Sequence, residues 1–108
     1  METFKHLSIE ELHRQLATEP ENLQVLDIRD PQSFNLGRIP GAIHLTNESL
    51  PELLRQADMD APTIVCCYHG ISSQQAAQYL IAQDFTDVYS LDGGFTAWQA
   101  GYPDTVEK

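Results

Sequence analysis

Apolar residues recur along this chain in two different periods, and the switches between those periods mark out its elements. In "SIEELHRQLATEP" the apolar residues Ile9, Leu12 and Leu16 fall on one helical face. Ser8, with Glu11 three residues on, is a capping-box start, and Pro20 bounds the far end. "LQVLDIRD" instead clusters Val25, Leu26 and Ile28 before a polar turn, the pattern of a buried strand. A turn or short helix around Pro31 leads past Gly37, Pro40 and Gly41 into a short strand, "AIHL". "NESLPELLRQ" predicts a helix with Leu50, Leu53 and Leu54 inward and Pro51 tolerated in its first turn. "TIVCC" is β-branched, apolar and uncharged, as expected of a central strand covered on both faces. "SSQQAAQYLIAQ" predicts a helix starting at Ser72 or Ser73, with Ala76, Ala77, Leu80 and Ile81 on its buried side. "DVYSL" is a further strand, "DGG" a turn, and "FTAWQAG" a last helix closed by Gly101, with Trp98 in the core where that helix covers the sheet.

Strands and helices alternate throughout, which predicts an α/β fold built on a parallel sheet with helices on both faces. In such sheets ligands collect beyond the C-terminal ends of the strands. The 108 residues are enough for one domain and too few for two, so residues 1–108 are expected to form a single domain. No apolar run approaches the roughly 20 residues that span a bilayer. "METFKHLSIEEL" lacks the basic and apolar regions of a signal peptide, and a cytoplasmic protein is expected.

Charge narrows the function further. The net charge is -10, and residues 56–107 carry no Lys or Arg. Phosphate contacts need clustered cations, so nucleic-acid binding is disfavoured, and a role at an anionic membrane surface is disfavoured for the same reason.

The chemistry concentrates in "TIVCCYHGISSQQAAQYL", where an apolar strand ends on the chain's two cysteines and a glycine-bearing loop runs into a helix. A free thiol with pKa near 8.5 is only about 3% ionised at pH 7, and each unit of lowering requires about 1.4 kcal/mol of preferential anion stabilisation. This half of the chain offers no cation to supply it, but backbone amides can. Gly70 permits a conformation in which successive N–H groups curl inward as an anion nest. The helix that follows points its unsatisfied amides and positive dipole end at the same centre. The hydroxyls of Ser72 and Ser73 are extra donors, unless one caps the helix. Adjacent strand residues face opposite ways, so the two thiols are not interchangeable. Cys66, within the uncharged strand, is expected to be inert core, and Cys67, at the loop, to be the nucleophile.

Three blocks, "VLDIRDPQSFNLGRIPGAIHL", "VCCYHGISSQQAAQYL" and "DVYSLDGGFTAWQAGYP", resemble the single-domain rhodaneses, specifically the GlpE-type thiosulfate sulfurtransferases. The resemblance implies a rhodanese-like fold with a central five-stranded, mainly parallel sheet and helices on both faces. It implies a ping-pong sulfur transfer in which the Cys67 thiolate takes the outer sulfur of thiosulfate, releases sulfite and becomes a persulfide. A thiophilic acceptor then removes that sulfur: cyanide in an assay, or a dithiol protein such as thioredoxin. The amides of Tyr68, His69, Gly70, Ile71, Ser72 and Ser73 would form the substrate cradle. No metal or organic cofactor is implied, and a monomer or weak dimer is expected.

This chain also departs from the family pattern. Many rhodaneses carry arginine where Ser72 stands, and often where Tyr68 stands, so the loop here is neutral unless His69 is protonated. Ile71 replaces the Asn common in GlpE-type loops, Arg38 stands where His is usual, and Cys66 is an uncommon second thiol. A dianionic substrate meeting a protein of charge -10 points to weak binding and a high KM.

Other readings fit these residues less well. A cysteine phosphatase or arsenate reductase needs an arginine fork to clamp its oxyanion, and the sixth residue after Cys67 is Ser73. A non-enzymatic interaction module commonly lacks the nucleophile that this loop retains. A Cys66–Cys67 disulfide would strain the peptide between adjacent residues. Asp27 and Arg29 are expected to hold the fold as an ion pair, His69 to tune loop charge, and His6, His13 and His44 to be structural or surface residues.

Overall fold

A run of β-branched, uncharged residues can be covered on both faces of a sheet, and Thr63–Cys66 occupies that central position. The computed structural model describes residues 4–18 and 22–108; Pro20, expected to end the first helix, lies outside them. In chain order the elements are β1 (Lys5–Leu7), α1 (Ile9–Thr18), β2 (Gln24–Asp27), α2 (Pro31–Leu36), β3 (Ile43–His44), α3 (Leu50–Gln56), β4 (Thr63–Cys66), α4 (Ser72–Ala82), β5 (Val88–Leu91) and α5 (Gly94–Gly101), followed by a 3₁₀ turn over Pro103–Thr105. The strands form one five-stranded sheet in the order β1-β5-β4-β2-β3. All of its pairings are parallel, which sharpens the expected "mainly parallel" sheet. No helix among the described residues is long and apolar enough to cross a membrane.

Alternation along β4 sends its side chains into two separate cores. Ile64 and Cys66 join Leu12, Val25, Phe95 and Trp98 beneath α1 and α5. Val65 joins Leu26, Ala77, Leu80 and Val88 on the opposite face, with Leu53 and Leu54 of α3 packed against them. Helices therefore cover both faces, as the element pattern predicts. Trp98 is fully buried in the first core, and its indole N–H donates to Thr105 Oγ1 at 2.9 Å.

The helix starts follow local chemistry. The Glu11 amide donates to Ser8 Oγ at 3.1 Å, which is the N-cap half of the expected capping box. Asp30 caps α2, its carboxylate accepting from the Ser33 amide at 3.1 Å and the Ser33 hydroxyl at 2.8 Å. β1 is the strand that periodicity does not reveal. It has three residues, Lys5 and His6 are exposed, and only Leu7 faces the core. Polar side chains on a short edge strand discourage pairing with other chains, and here they also erase the alternating signal.

Asp27 and Arg29 meet at the C-terminal end of β2 as a buried ion pair. The Arg29 Nη2 donates to Asp27 Oδ2 at 2.8 Å and to the Gly37 carbonyl at 2.6 Å, and the guanidinium lies 4.0 Å from the Phe95 ring centroid. Its partners tie β2, the end of α2 and α5 together. Asp27→Ala strands a buried guanidinium and should cost about 3–5 kcal/mol of stability, read as a lower urea midpoint.

Candidate active site

Cys67 follows the last residue of β4 and is nearly buried, with 3% of its surface exposed. Two backbone amides donate to its sulfur, and a serine hydroxyl stands beside it. The Gly70 amide lies 3.1 Å from Sγ, the Ser73 amide 3.3 Å, and the Ser73 hydroxyl 3.3 Å. Gly70 has φ +85°, which turns its N–H back toward the cysteine, and a side chain there would come within 2.8 Å of the Gly93 nitrogen. Ser73 lies in the first turn of α4, so its amide is one that the helix itself leaves unpaired.

Burial of Cys67 on its own would push its thiol pKa up. The Ser73 hydroxyl and amide, then the Gly70 and His69 amides, outweigh that effect and hold the thiol below its ordinary value. The leading stabilisers of the anion are hydrogen bonds rather than a neighbouring cation. Cys66 behaves in the opposite way: its burial, reinforced by the Asp27 carboxylate, drives its thiol far above the ordinary range. Two adjacent thiols thus sit on opposite faces of the sheet with opposite acidities.

The remaining loop residues divide by role. Tyr68 is partly exposed, and its hydroxyl lies 3.1 Å from Ser33 Oγ, tying the loop to α2. His69 is exposed, Ile71 is 74% exposed at the mouth, and Ser72 is exposed at the start of α4. No side-chain hydrogen bond caps α4, so neither serine acts as its N-cap. Beside the loop lies a pocket of about 290 Å³ lined by Arg29, Ser33, Leu36, Tyr68, Phe95 and Thr96 among others. A larger cleft of about 680 Å³ lies between α4 and the segments that follow β2 and β3, lined in part by Ile28, Pro31, Thr46, Ala76 and Tyr79. His6, His13 and His44 stand elsewhere: His6 pairs with Asp92, His13 stacks on Tyr102, and His44 bonds to the Arg29 carbonyl.

Several residues that hold this site escape a reading of the sequence. The Phe95 and Thr96 amides, at the start of α5, donate to the Cys67 and Tyr68 carbonyls at 2.8 and 3.0 Å. Gly94, with φ +60°, lets those backbones meet, since a Cβ there would lie 2.5 Å from the Cys67 carbonyl oxygen. The "DGG" segment is therefore a clamp on the cysteine loop as well as a turn. Gln74 adds a side-chain bond to the Gly70 carbonyl at 2.8 Å, and Ser90 stands behind Ser73 at 2.7 Å. The local signal for Ser90 is a small polar side chain between the larger residues Tyr89 and Leu91 of β5.

A profile of the rhodanese-like domain matches residues 8–101. The chain belongs to that family. A protein of Shewanella oneidensis named thiosulfate sulfurtransferase GlpE is 59% identical over 98 residues, covering 91% of this chain and 95% of the relative. A protein of the same name from Pseudoalteromonas translucida is 48% identical, covering 97% of this chain and 98% of its own length. Among solved structures, a rhodanese-like domain from Anabaena superposes with TM-score 0.81 at 26% identity, covering 94% of this rhodanese chain and 76% of that one. A rhodanese-like domain protein of Staphylococcus aureus superposes with TM-score 0.76 at 26% identity, covering 88% and 91%.

Proposed function

We propose that this rhodanese is a thiosulfate sulfurtransferase whose sulfur carrier is Cys67. The observation that carries the reading is a nearly buried thiol held below its ordinary pKa by amides and a hydroxyl. The names of the GlpE relatives support the choice of thiosulfate. The Cys67 thiolate attacks the outer sulfur of thiosulfate. An Sγ–S bond forms, the thiosulfate S–S bond breaks, and sulfite leaves with the electron pair. Three negative charges enter and three remain: one on the persulfide and two on sulfite. A thiophile then takes the outer sulfur and returns Cys67 as the thiolate. Cyanide gives thiocyanate, and a dithiol protein such as thioredoxin is the cellular acceptor we favour.

The Gly70, Ser73 and His69 amides serve the thiolate first. The amides of Tyr68, Ile71 and Ser72 complete the cradle that receives the sulfonate oxygens. An uncharged cradle suits transient negative charge without trapping the sulfite product, at the expense of substrate affinity. Residues 1–108 act as a single rhodanese domain, a reading supported by the one continuous sheet. We place it in the cytoplasm, as a monomer or weak dimer.

Incubation with thiosulfate alone tests this function. Intact mass should rise by one sulfur atom with release of one sulfite, and added cyanide should reverse the mass change and yield thiocyanate. Hydrolysis of an aryl phosphate without sulfur uptake would refute the proposal in favour of a phosphatase.

A further inference from the structure

Ser90 is fully buried on β5, a position where an apolar side chain is the norm. It pairs in register with Val65 on β4 and faces α4, where its Oγ lies 2.7 Å from Ser73 Oγ. Ser73 Oγ in turn lies 3.3 Å from Cys67 Sγ. The three atoms form a buried chain running from the sheet to the sulfur.

Each hydroxyl carries one proton, so the chain has a direction. While Cys67 is a thiol, its S–H can donate to Ser73 Oγ, and the Ser73 O–H is then free to donate to Ser90. When Cys67 is a thiolate it offers only lone pairs, and the Ser73 O–H must turn to Sγ. Ser73 Oγ then lacks a donor unless Ser90 supplies one, and a hydroxyl polarised in this way donates more strongly.

We propose that Ser90 is a positioning residue for sulfur transfer, donating to Ser73 Oγ and so directing the Ser73 O–H onto Cys67 Sγ whenever that sulfur is anionic. The inference rests on the reading of Cys67 as the sulfur carrier. In the first half-reaction charge leaves Sγ as the Sγ–S bond forms, and the pair of hydroxyls relaxes. In the second, the acceptor takes the outer sulfur, the Sγ–S bond electrons return to Sγ, and the chain reorients to receive them. Ser90 therefore favours the leaving thiolate as well as the attacking one.

The test reads thiol ionisation, separately from turnover. The pH profile of Cys67 alkylation by iodoacetamide, assigned to that residue by peptide mass, is measured in the wild type, Ser90→Ala, Ser73→Ala and the double variant. Ser90→Ala should raise the apparent thiol pKa by about half a unit, making alkylation about threefold slower on the acid side of the transition. Ser73→Ala should slow it about tenfold, and adding Ser90→Ala to Ser73→Ala should change nothing further. A Ser90→Ala profile that superimposes on the wild type, or one whose shift persists in the Ser73→Ala background, overturns the proposal. Where Ser90→Ala does not fold, the wild type decides: the Ser90 ¹³Cβ resonance should titrate together with Cys67, and a flat resonance refutes the relay. Failure of the sulfur-carrier reading looks different, since sulfur uptake would then persist in Cys67→Ser whatever the alkylation profiles show.

Discussion

Cys67→Ser is expected to abolish sulfur uptake from thiosulfate and thiocyanate formation, while Cys66→Ser keeps both within about twofold of the wild type. A serine hydroxyl ionises far above physiological pH, so the donors on residue 67 would face a neutral oxygen. The variant also cannot form the Sγ–S bond on which both half-reactions depend. Cys66 differs on each count. It points into the core with Leu12, Val25 and Trp98, fully buried, and its thiol is held protonated. The Cys66→Ser hydroxyl can use the Cys67 carbonyl that Cys66 Sγ already meets at 3.5 Å, so the stability loss should be about 1 kcal/mol. The sign of the Cys67 shift adds a pH signature. A lowered pKa keeps the thiolate populated below the range of a free cysteine, and the acid limb of the wild-type rate should follow that lowered value. Intact mass after thiosulfate alone separates the variants without an acceptor. Sulfur on Cys67→Ser protein, or none on Cys66→Ser, would reverse the assignment.

How much of this was legible in the chain depends on how local each cause is. β4 could be read because four consecutive residues are buried on both faces. Strand alternation was enough to separate Cys66 from Cys67. Gly70 and Ser73 could be read because glycine and a helix start within six residues of a cysteine are a local arrangement. β1 was hidden, because its pairing with β5 comes from residues 84 positions away, as Lys5↔Tyr89 shows, and its own side chains carry almost no period. Of the two serines expected as extra donors unless one caps the helix, Ser73 lies on the sulfur, while Ser72 is exposed at the first residue of α4. The clamp from α5 and the Ser90 hydroxyl were invisible for the same reason as β1. Both act between segments distant in sequence, and nothing near them in sequence records what they touch.

Gly94→Ala should lower kcat/KM for thiosulfate about a hundredfold, although Gly94 lies 27 residues from the cysteine and bears no side chain. The added Cβ would lie 2.5 Å from the Cys67 carbonyl oxygen and 2.6 Å from the Tyr68 carbonyl. Both neighbours are backbone, so neither can rotate aside. Either α5 withdraws, breaking the bonds from the Phe95 and Thr96 amides, or the loop shifts and carries the Gly70 and Ser73 amides off the sulfur. A misplacement of about 1 Å at reacting groups costs rate on that scale. The backbone cost of φ +60° in an alanine accompanies it, and strain plus overpacking should remove about 2–4 kcal/mol of stability. Gly41→Ala is the control that separates these causes. Gly41 has φ +77° with nothing within 4 Å of a built Cβ, so it takes the conformational cost, about 1 kcal/mol, without a clash. It should lose stability and retain activity. The alkylation profile of Cys67 should shift to higher pH in Gly94→Ala and stay in place in Gly41→Ala. An active Gly94→Ala enzyme with an unshifted profile would mean that α5 does not hold the cradle, and that β4 and α4 alone fix the amides on the sulfur.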